Sequence, residues 1–277
     1  MKHLFKFFLC TACTLALFSC QEEIEPVVSP TDNDVPEGYT LQEFTAVCEE
    51  TESRTALSGN NTVWSAGDQI KVVLSDGSAA NASLTAGAGT TTGTFAGLVP
   101  KGKTANYAVY PAAAYSSVSG STVNVGVSAL QPGTFAAGNV AVAKVNATTH
   151  NMTFKNVNSF LVFQLKSGSA VSKVEVTSVD GSALAGTVAV SCSGTEPAAG
   201  AVSSGASTVS MTTSGAGTYY MSIASGVTHA KGLKMTYYTG SGSYTETGVY
   251  YLSRNMPIAV NKMYTLGEVE TDKNYYA

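Results

Sequence analysis

The feature that most limits the fold of this chain is its punctuation. From Thr40 onward, short apolar runs are interrupted every few residues by Gly, Ser, Asn or Pro. Phe44-Thr45-Ala46-Val47-Cys48 and Thr122-Val123-Asn124-Val125-Gly126-Val127 alternate with the period of a half-buried strand. Asn61-Thr62-Val63-Trp64 is turned by Ser65-Ala66-Gly67-Asp68 into the run Gln69 to Leu74. Tyr107 to Tyr110 stops at Pro111, which has no N–H to offer a ladder. Phe160 to Leu165 is apolar on both faces, the mark of a central strand, and Asp180-Gly181 is a hairpin turn. No helical period of useful length follows residue 40, while Val, Thr and Tyr favour strands. The chain therefore reads as all-β, built as a sandwich. The polar break Ala147 to Asn151 sets a boundary at about residue 148, giving β units over 39–148 and 149–277. The Ser-, Gly- and Ala-rich stretch 193–217 reads as an exposed loop.

Ahead of this body stands a leader. Lys2, His3 and Lys6 precede a mostly apolar run, Leu9 to Phe18, too short to span a bilayer as a stop-transfer helix. The run ends Leu17-Phe18-Ser19-Cys20, which resembles the lipobox of bacterial lipoproteins. Residues 1–19 then form the signal peptide, and Cys20 is the lipidated N-terminus of the remaining 258 residues. An ordinary signal cleaved elsewhere is the alternative. Several acyl chains make such an anchor stable where one does not. Gln21-Glu22-Glu23-Ile24-Glu25 resembles a surface-export signal and reads equally as a solvated linker. Residues 20–38, acidic and carrying Pro26, Pro30 and Pro36, cannot bury enough apolar surface to order themselves.

Composition excludes several functions. Only 12% of residues are charged, against roughly 25% in average proteins, and the net charge is −4. Beyond the leader there is no basic run to displace counterions, which argues against nucleic acid as a partner. Cys10 and Cys13 leave with the leader, so Cys48 and Cys192 are the thiols of the body. The compartment permits a disulfide, but two Cys give no framework, and Cys48 reads as a small buried hydrophobe.

Candidate chemistry is sparse. His150 and His229 are the two histidines of the body, and neither lies in a metal-ligand spacing. Gly87-Ala88-Gly89-Thr90-Thr91-Thr92-Gly93 has the wrong spacing for a dinucleotide fingerprint and reads as a flexible loop. Scattered Ser, His and Asp leave a hydrolase site formally open. No metal or cofactor is expected, and the chain does not read as an enzyme. Asp68 reads as a cap on its own turn. Trp64, the only Trp, reads as a core anchor, with a sugar-stacking platform as the alternative. Ten of the fourteen Tyr lie between Tyr219 and Tyr276, as a β-sheet composition or a sticky aromatic face.

Several of these segments occur together in a known order. Phe44-x-Ala46, Ser53-Arg54-Thr55, Val63 to Val72, Tyr107 to Pro111, Leu130-Gln131-Pro132, and Met152 to Val157 leading to Phe160-Leu161-Val162-Phe163 are similar to the pattern of the fimbrillin family. That family consists of lipoprotein precursors of pilus subunits and of surface lipoproteins. The resemblance spans roughly residues 40–266. It implies two Greek-key β-sandwich domains of transthyretin-like type. It also implies export to the outer membrane as a lipid-anchored precursor, then a cut by a trypsin-like maturation protease that removes the first strand. The groove left behind takes a strand from another subunit, yielding a fimbrium.

Arg54 is the first Arg, and no Lys lies between Lys6 and Lys71, so Arg54–Thr55 is the bond available to such a protease; a solvated hairpin Arg is the alternative. The displaced strand would carry Phe44, Ala46 and Cys48. The donor would carry Ile258, Val260, Tyr264 and Leu266, which share one alternating register. Two readings stay open: a structural or adhesive pilus subunit joined to other subunits by strand addition, and a non-polymerising surface lipoprotein that binds glycans or another host or bacterial surface ligand.

Overall fold

The computed structural model describes residues 35–49, 52–53, 62–252, 255–269, 271 and 274–276. Alternating residues do in three dimensions what their pattern dictates, and the structure is all-β. Seven strands close a barrel: β1 (Tyr39–Cys48), β3 (Gln69–Leu74), β4 (Ala79–Ala86), β5 (Thr92–Pro100), β6 (Ala105–Tyr110), β10 (Ala141–Lys144) and β11 (Asn151–Asn156). Their order around the barrel is β1-β11-β10-β6-β3-β4-β5, closed by β5 against β1.

The barrel is narrow, and its inward residues are sorted by size. Ala46, Ala82, Ala105, Ala108, Ala141 and Ala143 let the walls approach, and Phe44, Phe95, Phe154 and Trp64 fill the space. Trp64 is buried at the centre, with its ring 4.9 Å from Phe95, 5.1 Å from Tyr110 and 5.6 Å from Phe154, all edge-on. Edge-to-face pairs of this kind add to the burial energy itself. Glycine is required at Gly93, where a Cβ would meet the indole at 2.7 Å. Asp68 caps its turn as expected: one carboxylate oxygen accepts the Ser65 N–H at 2.7 Å and the other accepts the Tyr110 hydroxyl at 3.1 Å.

Three further sheets and a short pair make up the remainder. One runs β17 (Gly217–Ala224), β12 (Asn158–Leu165), β22 (Lys262–Glu268), β2 (Glu52–Ser53). A second runs β23 (Asn274–Tyr276), β20 (Ser243–Leu252), β19 (Leu233–Ser241), β13 (Lys173–Ser178), β16 (Thr208–Thr212), β9 (Leu130–Gln131). A third runs β15 (Ala198–Ala206), β14 (Ala185–Ser191), β8 (Thr122–Val127), β7 (Tyr115–Ser119), and β18 (Val227–His229) pairs β21 (Met256–Ile258). Among the described residues a 3-10 turn at Ala112–Ala114 and one α-helical turn, α1 (Phe135–Gly138), interrupt the strands. β12 is the central strand its composition implied. Leu161, Phe163 and Leu165 face the main core, and Phe160 and Val162 face a second cluster with Phe135, Tyr220 and Met263.

The sheets do not follow a cut at residue 148. β8, from before it, pairs along its whole length with β14, and β9 pairs with β16. β11, from after it, returns to the barrel and pairs with β1 and β10. Period-two patterning identifies strands but not their partners. Within the stretch 193–217, residues 198–206 and 208–212 are strand rather than loop, because β14 and β13 supply ladder partners to residues of low intrinsic preference.

Trp64→Ala should cost about 3–5 kcal/mol, by lost burial plus the cavity left behind. The measurement is a urea titration followed by far-ultraviolet circular dichroism. Trp64→Phe should cost less, and a change under about 1 kcal/mol for Trp64→Ala would show that the barrel core does not hang on this ring.

Candidate functional site: a plugging strand and its fastenings

β1 is the strand whose removal was expected, and its setting can be built residue by residue. On one side it forms a nine-residue antiparallel ladder with β5, from Tyr39 opposite Pro100 to Val47 opposite Thr92. On the other it pairs in parallel with β11, Thr45 to Cys48 opposite Asn151 to Phe154. Phe44 and Ala46 point inward and are buried. Cys48 is half-buried against the same core, where burial and then the charge of Asp68 push its thiol up to about 12. Cys192 is buried, and both thiols are free.

Three polar fastenings hold β1. The Trp64 indole N–H donates to the Ala46 carbonyl at 3.2 Å. Gln42 is hydrogen-bonded to Nε2 of His150, whose ring also packs on Phe44 at 5.8 Å. Beyond the strand end, one oxygen of Glu49 meets Lys155 Nζ at 3.0 Å and the other accepts the Asn156 N–H at 3.1 Å. Lys155 also reaches Glu196 at 3.1 Å, and the Glu49 bond is the main reason its ammonium titrates above its usual value. None of this was legible in the sequence: Glu49 and Lys155 are 106 residues apart with no local signal.

Past Glu49 the chain leaves the barrel. β2 pairs in parallel with β22, Glu52 opposite Lys262 and Ser53 opposite Met263. Cys20, Arg54 and Thr55 lie outside the described residues.

The expected donor residues do not share one strand. Ile258 is buried on β21, Val260 is exposed in a turn, and Asn261 has a φ of +56°, in the left-handed region that Asn tolerates. Tyr264 and Leu266 follow on β22, which pairs in parallel with β12. The Tyr264 hydroxyl folds back over the turn, accepting the Ala259 N–H at 2.8 Å and donating to the Pro257 carbonyl at 3.1 Å. The single alternating register read from the sequence is therefore interrupted by the turn at Asn261.

Two other clusters bear on chemistry. On the outer face of β13, β19 and β20, Lys173 Nζ sits 5.1 Å from the Tyr238 ring centre and 5.0 Å from that of Tyr244. Glu175 joins them, 2.6 Å from Lys173 and accepting the Tyr238 hydroxyl at 2.8 Å.

Ser178, His229 and Asp180 also meet, but with roles reversed from a hydrolytic triad. Ser178 Oγ donates its one proton to Asp180 at 2.8 Å and lies 2.8 Å from His229 Nδ1. His229 must then donate through Nδ1, so it cannot accept the serine proton as a general base. Its Nε2 is buried without a hydrogen-bond partner. Among the described residues, no three His, Cys, Asp or Glu are grouped to hold a metal.

Burial lowers the His229 pKa, partly opposed by the charge of Asp180. The unfolded chain takes up a proton near pH 6.5 that the folded one resists, so stability should fall as pH drops below about 6.5. The loss of Tm between pH 8 and pH 5.5 should be smaller in His229→Leu than in the parent chain. Equal losses would place the acid sensitivity elsewhere.

No protein-family model and no curated protein matches the chain. Among solved structures it is similar to a Bacteroides uniformis protein named for a role in cell adhesion, 12% identical over 81% of this chain and 91% of that one, with a TM-score of 0.47. It is also similar to a fimbrial protein of Bacteroides ovatus, 10% identical over 84% of this chain and 50% of that one, with a TM-score of 0.35. A third is the tip fimbrial protein Mfa3 of Porphyromonas gingivalis with a C-terminal truncation, 10% identical over 76% and 81%, with a TM-score of 0.28.

Proposed function

We propose that the chain is a surface pilus or adhesion subunit that joins other subunits by strand addition in place of β1. In this reading it is exported as a lipoprotein held in the outer membrane through Cys20. A trypsin-like protease cuts after Arg54, and β1 departs with the lipid. The single observation that carries the reading is the position of β1. It is a ten-residue strand closing the barrel between β5 and β11, plugged by Phe44 and Ala46, and followed within a few residues by Arg54.

Without β1 the facing edges of β5 and β11 present unpaired backbone groups beside apolar pockets, a template for another extended segment. A strand given head-to-tail by a second copy makes a contact that need not close, and such contacts build filaments. The segment through β21 and β22 remains the candidate donor; to serve, it must leave β12 and straighten at Asn261. A second reading, a surface-anchored glycan-binding lipoprotein, draws on one feature, the outward Tyr238–Lys173–Tyr244 row.

The chain recovered from the cell surface should begin at Thr55, and chain cut after Arg54 should form detergent-resistant, heat-sensitive ladders. A synthetic peptide of Tyr39–Cys48 in excess should suppress those ladders, and a scrambled peptide should not. Surface protein that keeps Phe44 to Cys48, or cut protein that stays monomeric at high concentration, sinks the polymer reading. An intact lipidated monomer that binds a sugar array would favour the second. Cys20→Ala should abolish partition into detergent; persistent partition would refute the anchor.

A further inference from the structure

The segment 39–53 touches both halves of the molecule. β1 fills the barrel, and β2 lies along the outer edge of β22, the strand given above as candidate donor. Glu49, Glu50 and Thr51 alone separate the two strands. Four residue steps from Cys48 to Glu52 reach at most about 14 Å, so the barrel groove and the β22 edge are neighbours. Glu49 is fastened at this crossing by Lys155 and the Asn156 N–H. Asn156 in turn donates through its side chain to Asn261, 2.8 Å away, in the turn that leads into β22.

We infer that β1 and β2 form one strap that blocks two edges at once, the barrel groove through β1 and the start of the outer β22 edge, at Lys262 and Met263, through β2. β2 is thus an autoinhibitory cover on β22, and one departure opens both. This rests on the reading of the chain as a strand-exchanging subunit.

Chain order makes the coupling unavoidable once a cut falls after Arg54. Both strands lie on the N-terminal side of that bond, so they belong to the same released fragment. Before the cut, β2 is tethered on both sides; afterwards, only through β1. A short ladder is kept docked by the effective concentration that its tethers impose. Conversely, while β2 is docked, the Cys48 end of β1 cannot travel far from its groove. The precursor therefore presents neither the groove nor the Lys262–Met263 start of the β22 edge, which prevents copies from joining while they are still anchored.

Amide hydrogen exchange on the full chain separates the two parts of this idea. In uncut chain carrying Glu52→Pro with Ser53→Pro, no N–H of β2 can reach the ladder, whichever one faces it. Peptides covering 262–268 should then exchange at least about 10-fold faster while those covering 92–100 are unchanged. Unchanged exchange at 262–268 would mean that β2 does not cover β22, and would overturn the inference without any cut.

The second arm uses chain carrying Arg254→Lys, the other arginine of the sequence, treated with an arginine-specific protease. Release of the fragment ending at Arg54 should speed exchange at 92–100 and 262–268 with one time course. Exchange rising at 92–100 alone after release overturns the coupling. Cut chain that retains its fragment overturns strand release itself, and the double-proline chain still reports separately on β2.

Discussion

The indole of Trp64 ties together four of the seven barrel strands. It packs on Phe95 of β5, Tyr110 of β6 and Phe154 of β11, and its N–H is satisfied by the Ala46 carbonyl of β1. The strand that closes the barrel is thus also the strand that completes the hydrogen bonding of its largest buried ring. A buried donor that loses its acceptor costs about 1–3 kcal/mol. An empty groove is therefore unstable in a directed way: whatever replaces β1 must bring an apolar plug for the Phe44 site and a carbonyl opposite the indole.

A second dependency runs through the seam where barrel and sandwich share strands. Asn158 accepts the Val140 N–H at 2.8 Å and donates to the Gly138 carbonyl at 3.1 Å and to Ser222 at 2.7 Å. Asn139 donates to Asn156 at 3.0 Å. Buried amides bonded on several sides specify one arrangement, because any shift strands a polar group away from water. This network holds β10, β11 and β12 in register just beside the Glu49 crossing. Removing the strap thus leaves behind a body whose seam has its own bonds.

Strand existence was legible in the sequence because side chains on a strand alternate with period two. Phe44 and Ala46, Val123 and Val125, and the doubly buried run Phe160 to Phe163 all sit as their pattern required. So do the Trp64 anchor and the Asp68 cap, whose causes are local. The cap needs only a carboxylate three residues from an N–H, and a lone large aromatic among alternating residues has few places outside a core.

What the sequence by itself determined is therefore the all-β class, the inward-facing set and the strand that precedes Arg54. Only the tertiary structure decided who pairs with whom. The exchange of β8 and β9 across residue 148, the strand character of 198–206, and the covering of β22 by β2 are long-range pairings with no sequence-local signal. The same holds for the clasp of Glu49 on Lys155, and for the Ser178–His229–Asp180 contact with its reversed proton. The turn at Asn261 splits a register that looks continuous on paper, because one left-handed residue redirects a strand without changing the alternation of its letters. Periodicity records which face a residue takes, and pairing is set by the packing of whole sheets.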